Sequence, residues 1–236
     1  MDNKKAEFPM RINKYLAGKG ISTRKGVDKL VEQGKVFING RKAVLGDKVL
    51  ETDKVEVTQK VNKGQYHYFA YYKPRQIITH SAQRGEKEIK NISGISGLFP
   101  IGRLDKDSEG LIILTNDGRI TERLLSPDKE HEKEYQIKTA NNIKPLFISK
   151  AKTGIDIGDF ITKPAEVFQK DIKNFNIILK EGKKHQIRRM TDAYGIAIES
   201  LKRIRIMNIV IGNLKPNEHR EIVGEELETF LKSLGL

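Results

Sequence analysis

The sequence predicts an α+β protein in two parts: a small basic domain over residues 1–60 and, after a linker at 61–66, a larger domain over 67–236 with a mixed, mainly antiparallel sheet. Three observations predict it. The 236 residues carry 44 Lys/Arg against 31 Asp/Glu, a net charge of +13, and residues 1–60 hold 14 of those cations against 8 acids, so positive charge is densest at the N-terminal end. The stretch Thr58-Gln59-Lys60-Val61-Asn62-Lys63-Gly64-Gln65-Tyr66 is polar and aperiodic, as a linker is. From Tyr66 onward strand-like runs alternate with short helices, without the regular β-α-β spacing of a parallel sheet.

Composition narrows the function. A hydrophobic content of 37% suffices for a packed core. The absence of cysteine excludes disulfides, a thiol nucleophile, a thiolate zinc site and an iron–sulfur cluster. The longest aliphatic run, Leu111-Ile112-Ile113-Leu114, falls far short of the roughly 20 residues that span a bilayer. The opening Met-Asp-Asn-Lys-Lys has none of the apolar stretch of a secretory signal. A soluble, cytoplasmic protein is expected, with a polyanionic partner and no membrane role. A basic membrane binder would need a long amphipathic helix, and none is visible, so nucleic acid is the favoured partner.

In the N-terminal part, Ile12, Tyr15 and Leu16 share one helix face, and Gly18 and Gly20 supply a stop. Ser22 is placed to cap a second helix carrying Val27, Leu30 and Val31, which Gly34 ends. Val36-Phe37-Ile38 then meets Asn39-Gly40, the dipeptide of a two-residue hairpin. A second strand, the turn Gly46-Asp47 and a strand over Lys54–Val57 complete two helices on a small sheet. Arg11, Lys14, Arg24, Lys25, Lys35, Arg41 and Lys42 gather at the helix starts and the hairpin, where they suit phosphates of structured RNA. Arg11–Leu16, Ser22–Lys25 and Gly34–Gly40 resemble the alpha-L RNA-binding motif named for ribosomal protein S-four.

In the larger part, strands are expected over Tyr68–Tyr72, Leu111–Thr115, Glu134–Lys138, Asn176–Leu179 and Arg203–Ile211. The dinucleotide, phosphate-loop, zinc-protease and serine-hydrolase motifs are all absent. His131 and His185 stand isolated in sequence, so no histidine metal site is expected.

The densest polar cluster, Gly102–Gly110, runs directly into Leu111–Leu114. One reading is a calcium loop with Asp105, Asp107 and Glu109 at alternate positions, but Asn116 stands where a bidentate Glu is required and no helix precedes the loop. Another is a solvated surface turn. The third is a catalytic carboxylate, favoured by two further segments. Lys133-Glu134-Tyr135 opens a strand and offers a ring to stack on a base, and Gly182–Met190 carries a turn into a basic helix. A guanidinium of that helix facing a buried Asp105 would hold it in its charged form.

Pro100–Gly118, with Gly102-Arg103-Leu104-Asp105 at its centre, resembles the first motif of pseudouridine synthases of the RsuA type. Lys133-Glu134-Tyr135 is similar to the second motif and Gly182–Met190 to the third, and the resemblance runs over residues 10 to 225. It is closest to the branch acting on large-subunit ribosomal RNA. Ser108 replaces a common Thr and keeps the hydroxyl. Gln76, after Lys73-Pro74-Arg75, stands where a Gly is usual, which leaves that turn's geometry open.

The resemblance implies isomerisation of a uridine in RNA, a reaction balanced in atoms and electrons that needs neither cofactor nor metal. It makes Asp105 the essential acid, either attacking the anomeric carbon or removing a proton from its neighbour. Arg188 is then its partner, Tyr135 stacks on uracil and Ile187 makes an apolar contact to the base. Arg103 contacts RNA or fills the space of the displaced nucleotide, and Lys183, Lys184 and Arg189 contact phosphates. A monomer acting on large-subunit ribosomal RNA is expected. The rival is a non-catalytic RNA-binding, ribosome-assembly protein on the same fold. It predicts a damaged Asp, Tyr or Arg, and all three are present.

Overall fold

The structure, a computed structural model, describes residues 8–58, 65–81, 83 and 85–236. Residues 61–64 of the expected linker lie outside the described residues. The chain divides into two compact units, one holding the chain up to Tyr66 together with Asn116–Glu122, the other His67–Thr115 and Arg123–Leu236.

The first unit contains β1 (Met10–Arg11), α1 (Ile12–Gly18), α2 (Arg24–Glu32), β2 (Val36–Ile38), β3 (Arg41–Lys42), β4 (Lys48–Val49) and β5 (Val55–Val57). Strands β3, β2 and β5 form an antiparallel sheet, and β1 pairs separately with β4. The helical spacing of Ile12 and Leu16 on α1 and of Val27 and Val31 on α2 turns these side chains onto Val36 and Ile38, which closes one core. Asn39 and Gly40 take φ of +49° and +81°, as a twisted two-residue hairpin turn requires. The cap of α2 is Thr23 rather than Ser22: the Thr23 hydroxyl accepts from Gly26 N at 3.1 Å. Ser22 Oγ instead fills the space beside Gly26, where a Cβ would approach it to 2.0 Å.

The second unit is built on a mixed sheet. In chain order its elements are β6 (Tyr68–Lys73), α3 (Ile89–Ile92), β7 (Phe99–Ile101), β8 (Glu109–Thr115), α4 (Arg119–Leu125, whose first turn belongs to the other unit), β9 (Lys133–Thr139), α5 (Pro145–Ala151), β10 (Glu166–Gln169), β11 (Asn174–Leu179), α6 (Gln186–Asp192), β12 (Ile198–Ile206), β13 (Ile209–Val210), β14 (His219–Glu221) and α7 (Gly224–Ser233). Among the described residues the strands run β10-β11-β9-β12-β8-β6-β14, with β13 on β12 and β7 on β8. The β8–β12 pair is parallel and the other pairs are antiparallel, so the α+β expectation with a mainly antiparallel sheet is met.

The unbroken run Leu111–Leu114 is buried because β8 lies inside the sheet and is covered on both faces. Phe147 of α5 and Met190 of α6 pack on Ile137, Phe175 and Ile177, while Ile89 of α3 packs with Tyr71, Ile112 and Leu114. The single strand expected over Arg203–Ile211 is instead a hairpin. Strand β12 ends at Ile206, Met207 turns at φ +51°, and β13 returns with Ile209 opposite Ile206. The turn lacks glycine, and Asn208 anchors it by donating its amide to Glu226 O at 2.8 Å. Among the described residues no helix is long and apolar enough to cross a membrane.

Candidate active site

The loop between β7 and β8 carries Asp105, and its backbone is tied at several points. Buried Thr79 takes Leu104 N onto its hydroxyl oxygen at 3.1 Å and returns a hydrogen bond to Leu104 O at 2.9 Å. Gln76 donates its backbone N–H to Lys106 O at 2.7 Å and its side-chain amide to Asp107 Oδ1 at 2.8 Å. Gln76 reaches both because its φ is +64°, so the turn keeps the conformation a glycine would take. Asp105, Asp107 and Glu109, the acids of the calcium-loop reading, take three different partners: His185, Gln76 and the Tyr72 hydroxyl.

Beneath this loop lies Lys73, fully buried at the end of β6, donating its Nζ to Pro74 O at 2.8 Å and Ile77 O at 2.7 Å. Burial pushes its ammonium down to about 8, against the opposing pull of Asp105, Glu109 and Asp107. A cation therefore underlies the acidic loop.

Tyr135 stands on β9 in the middle of the sheet, opposite Ile177 of β11 and Arg203 of β12, half-buried against both core clusters. Lys133 is two residues earlier on the same face and donates to His131 O at 3.0 Å. Burial first, then the neighbouring Arg203 charge, push its ammonium down to about 8.

Gly182 to α6 forms the third side. Buried Glu181 accepts from Lys163 N and from Gln186 Nε2, each at 2.8 Å, while Gln186 Oε1 accepts from Lys183 N at 2.9 Å. These bonds fix the turn that presents His185 and opens α6.

The three segments face one cleft of about 1030 Å³, whose wall includes Arg103, Asp105, Tyr135, Ile187 and Arg188. Lys183 and Lys184 also line it, and Lys183 sits 4.3 Å over the Phe160 ring. Ile187 serves two surfaces, the cleft wall and the buried cluster under α6.

The structure departs from three expectations. Arg188 does not pair with Asp105: its Nη2 reaches Asp107 O at 3.5 Å and Ser108 Oγ at 3.4 Å, and His185 Nδ1 stands 3.1 Å from Asp105 Oδ2. His185 precedes α6 and overhangs Asp105, whereas Arg188 is almost one helical turn further on and meets the next part of the loop. Nor is Asp105 deeply buried, since its side chain is 38% exposed. Arg189 turns away from the cleft wall to donate to Ile157 O and pair with Asp159.

Within the first unit, Arg11, Arg24, Lys25, Lys35, Arg41 and Lys42 are exposed. Lys14 is half-buried and pairs with Glu122 at 3.5 Å, and Arg41 pairs with Asp47 at 2.9 Å. Sequence reasoning missed His185, Lys73 and Arg203. For His185 the available signal was its place in the third motif, three residues before Arg188.

A mixed sheet that brings an acid-bearing loop, a half-buried tyrosine and a basic helix to one cleft defines a class of RNA-modifying fold, and comparison with known proteins agrees. Residues 67–193 match the family model described as RNA pseudouridylate synthase, and residues 10–55 match the S4 domain. The dual-specificity RNA pseudouridine synthase RluF of Salmonella typhi is 36% identical over 94% of this chain and 78% of its own length. Ribosomal large subunit pseudouridine synthase B of Bacillus subtilis is 32% identical over 92% of this chain and 94% of its own. A pseudouridylate synthase known from its crystal structure superimposes with a TM-score of 0.69 at 26% identity, over 95% of this chain and 99% of that one. The chain belongs to the RNA pseudouridylate synthase family and is an isomerase with an S4 domain ahead of its catalytic part.

Proposed function

We propose that this chain converts a uridine of large-subunit ribosomal RNA to pseudouridine, acting as a monomer in the cytoplasm. Residues 1–60 serve as its RNA-binding domain, 61–66 as linker and 67–236 as catalytic domain. The reaction breaks the C1′–N1 bond, turns the uracil and joins C1′ to C5. The proton on C5 is lost and N1 gains one, so atoms and electrons balance within the nucleotide and water.

Asp105 is the catalytic carboxylate, either as nucleophile at C1′ or as base at C2′. Tyr135 stacks on the base, Ile187 contacts its edge and Arg188 holds the loop behind Asp105. Reaching a stacked base means extruding it at a cost of a few kcal/mol, and Arg103 occupies the vacated position or grips the backbone. Lys183 and Lys184 are the phosphate contacts beside the cleft. Arg189, committed to Asp159, is a support of α6 rather than a phosphate contact.

The observation that carries the reading is the convergence of Asp105, Tyr135 and Arg188, from three separated segments, on one cleft with room for an extruded nucleotide. The exposed cations of the S4 domain and the ribosomal large subunit named in the Bacillus relative favour ribosomal RNA as substrate.

The test compares wild type with Asp105→Asn on unmodified large-subunit ribosomal RNA, mapping pseudouridine by carbodiimide-blocked primer extension. Wild type is expected to create a new stop and Asp105→Asn to be slower by about 10³-fold or more. Equal activity would end the assignment of Asp105.

A further inference from the structure

Among the described residues no guanidinium lies within hydrogen-bond reach of the Asp105 carboxylate to orient it, yet a group that must attack or deprotonate a sugar carbon needs a defined direction. We infer that His185 is the positioning residue of the reaction: its Nδ1–H holds Asp105 Oδ2 and thereby aims Oδ1 at the ribose. This rests on the reading of Asp105 as the catalytic carboxylate.

The contact itself is direct, with Nδ1 3.1 Å from Oδ2. In the inferred arrangement Nδ1 turns its hydrogen to the carboxylate, which offers only lone pairs. Both ends of the contact are built in. On the loop side Thr79 and Gln76 tie the backbone at Leu104 and Lys106, one residue to either side of Asp105, and Ser108 N donates to Asp105 O at 3.1 Å. On the other side the Glu181–Gln186–Lys183 bonds fix the turn, and His185 occupies it at φ +53°, a left-handed conformation that nothing in a helix start requires. A non-glycine residue held there by its surroundings, with its ring in the cleft, is the pattern of backbone strain spent on function. Arg188 and His185 thus divide the work: the guanidinium steadies the backbone at Asp107 and the hydroxyl of Ser108, and the imidazole steadies the carboxylate.

The backbone angle allows a test that separates orientation from folding. Glycine and asparagine both accept φ near +53°, and the Asn Nδ2 falls where the His Nδ1 was, whereas the Gln amide mimics Nε2. Single-turnover pseudouridine formation is measured for wild type, His185→Gly, His185→Asn and His185→Gln, with RNA affinity by filter binding and folding by thermal melting. His185→Gly is expected to melt as wild type does, to bind RNA within about twofold of it and to react on the order of 10²-fold more slowly. His185→Asn is expected to recover most of that rate and His185→Gln to remain slow. A wild-type rate in His185→Gly overturns the inference. So do three equally slow variants with weakened RNA binding, which would make His185 a backbone contact to RNA. If Asp105→Asn keeps full activity, the carboxylate assignment fails first and takes this one with it.

Discussion

Gln76 holds a left-handed backbone angle, φ +64°, in the turn that follows Lys73-Pro74-Arg75. A side chain in that region costs roughly 1 kcal/mol that glycine does not incur. The side chain offsets part of the cost by donating to Asp107 Oδ1. Two variants separate these effects. Gln76→Ala loses the amide bond and keeps the strained angle; Gln76→Gly loses the bond and relieves the angle. In urea denaturation Gln76→Gly is expected to exceed Gln76→Ala by about 1 kcal/mol, and the reverse order would show that the angle carries no strain. At this scale the sequence made much of the cleft legible. Asp105, Tyr135 and Arg188 lie in local motifs, each read from its immediate neighbours, and all three line the same cleft. The close approach of His185 Nδ1 to Asp105 Oδ2 joins residues eighty positions apart and leaves no trace in spacing or periodicity. Only the packing of α6 against the loop creates it.

Among the elements, the β8–β12 crossing sets the position of the acidic loop, because Gly110 starts the run that leads out of it. Gly110 has φ +108°, and a Cβ there would lie 2.2 Å from Arg203 O and 2.7 Å from Arg203 N. Both neighbours are backbone atoms of the only parallel partner among the described strands, so neither can swing aside. Arg203 further threads its Nε to Leu111 O at 2.7 Å, locking the two strands together. Gly110→Ala must therefore part β8 from β12, and a loss of about 3 kcal/mol or more is expected, read as a fall of roughly 6–12 °C in the melting midpoint. An unshifted midpoint would contradict the close approach. Element by element, the long apolar runs and the Asn39-Gly40 turn were legible because one local preference decides each. The Met207-Asn208 turn was not, since its anchor is Glu226 on a distant helix. The cap of α2 was misplaced by one residue because Ser22 and Thr23 are equally good caps by composition, and the missing Cβ of Gly26 draws Ser22 into packing instead.

For the whole molecule, the balance of charge against burial dictates how stability depends on pH. Lys73 and Lys133 are pushed down to about 8 from an ordinary 10.5, chiefly by burial. Below pH 8 the folded protein bears the full cost of two buried ammonium groups. Between pH 8 and 10.5 the unfolded chain binds more protons than the folded one, so stability rises with pH across that window. The net charge of +13 falls over the same range, and relief of self-repulsion acts in the same direction. Buried tyrosines oppose this at higher pH. Burial pushes Tyr71 up to about 12 from 10.0, and burial followed by the Glu109 carboxylate raises Tyr72 as well. Their contribution is complete below pH 10, where tyrosines of the unfolded chain are still neutral, and is lost as pH climbs through their folded values. Stability should therefore climb from pH 8 to about 10, by roughly 2–4 kcal/mol, and decline beyond it. Urea midpoints collected between pH 7.5 and 11 test this, with Lys133→Met expected to flatten the rising limb. A midpoint that falls steadily from pH 8 would mean that neither lysine is held against its charge in the folded state.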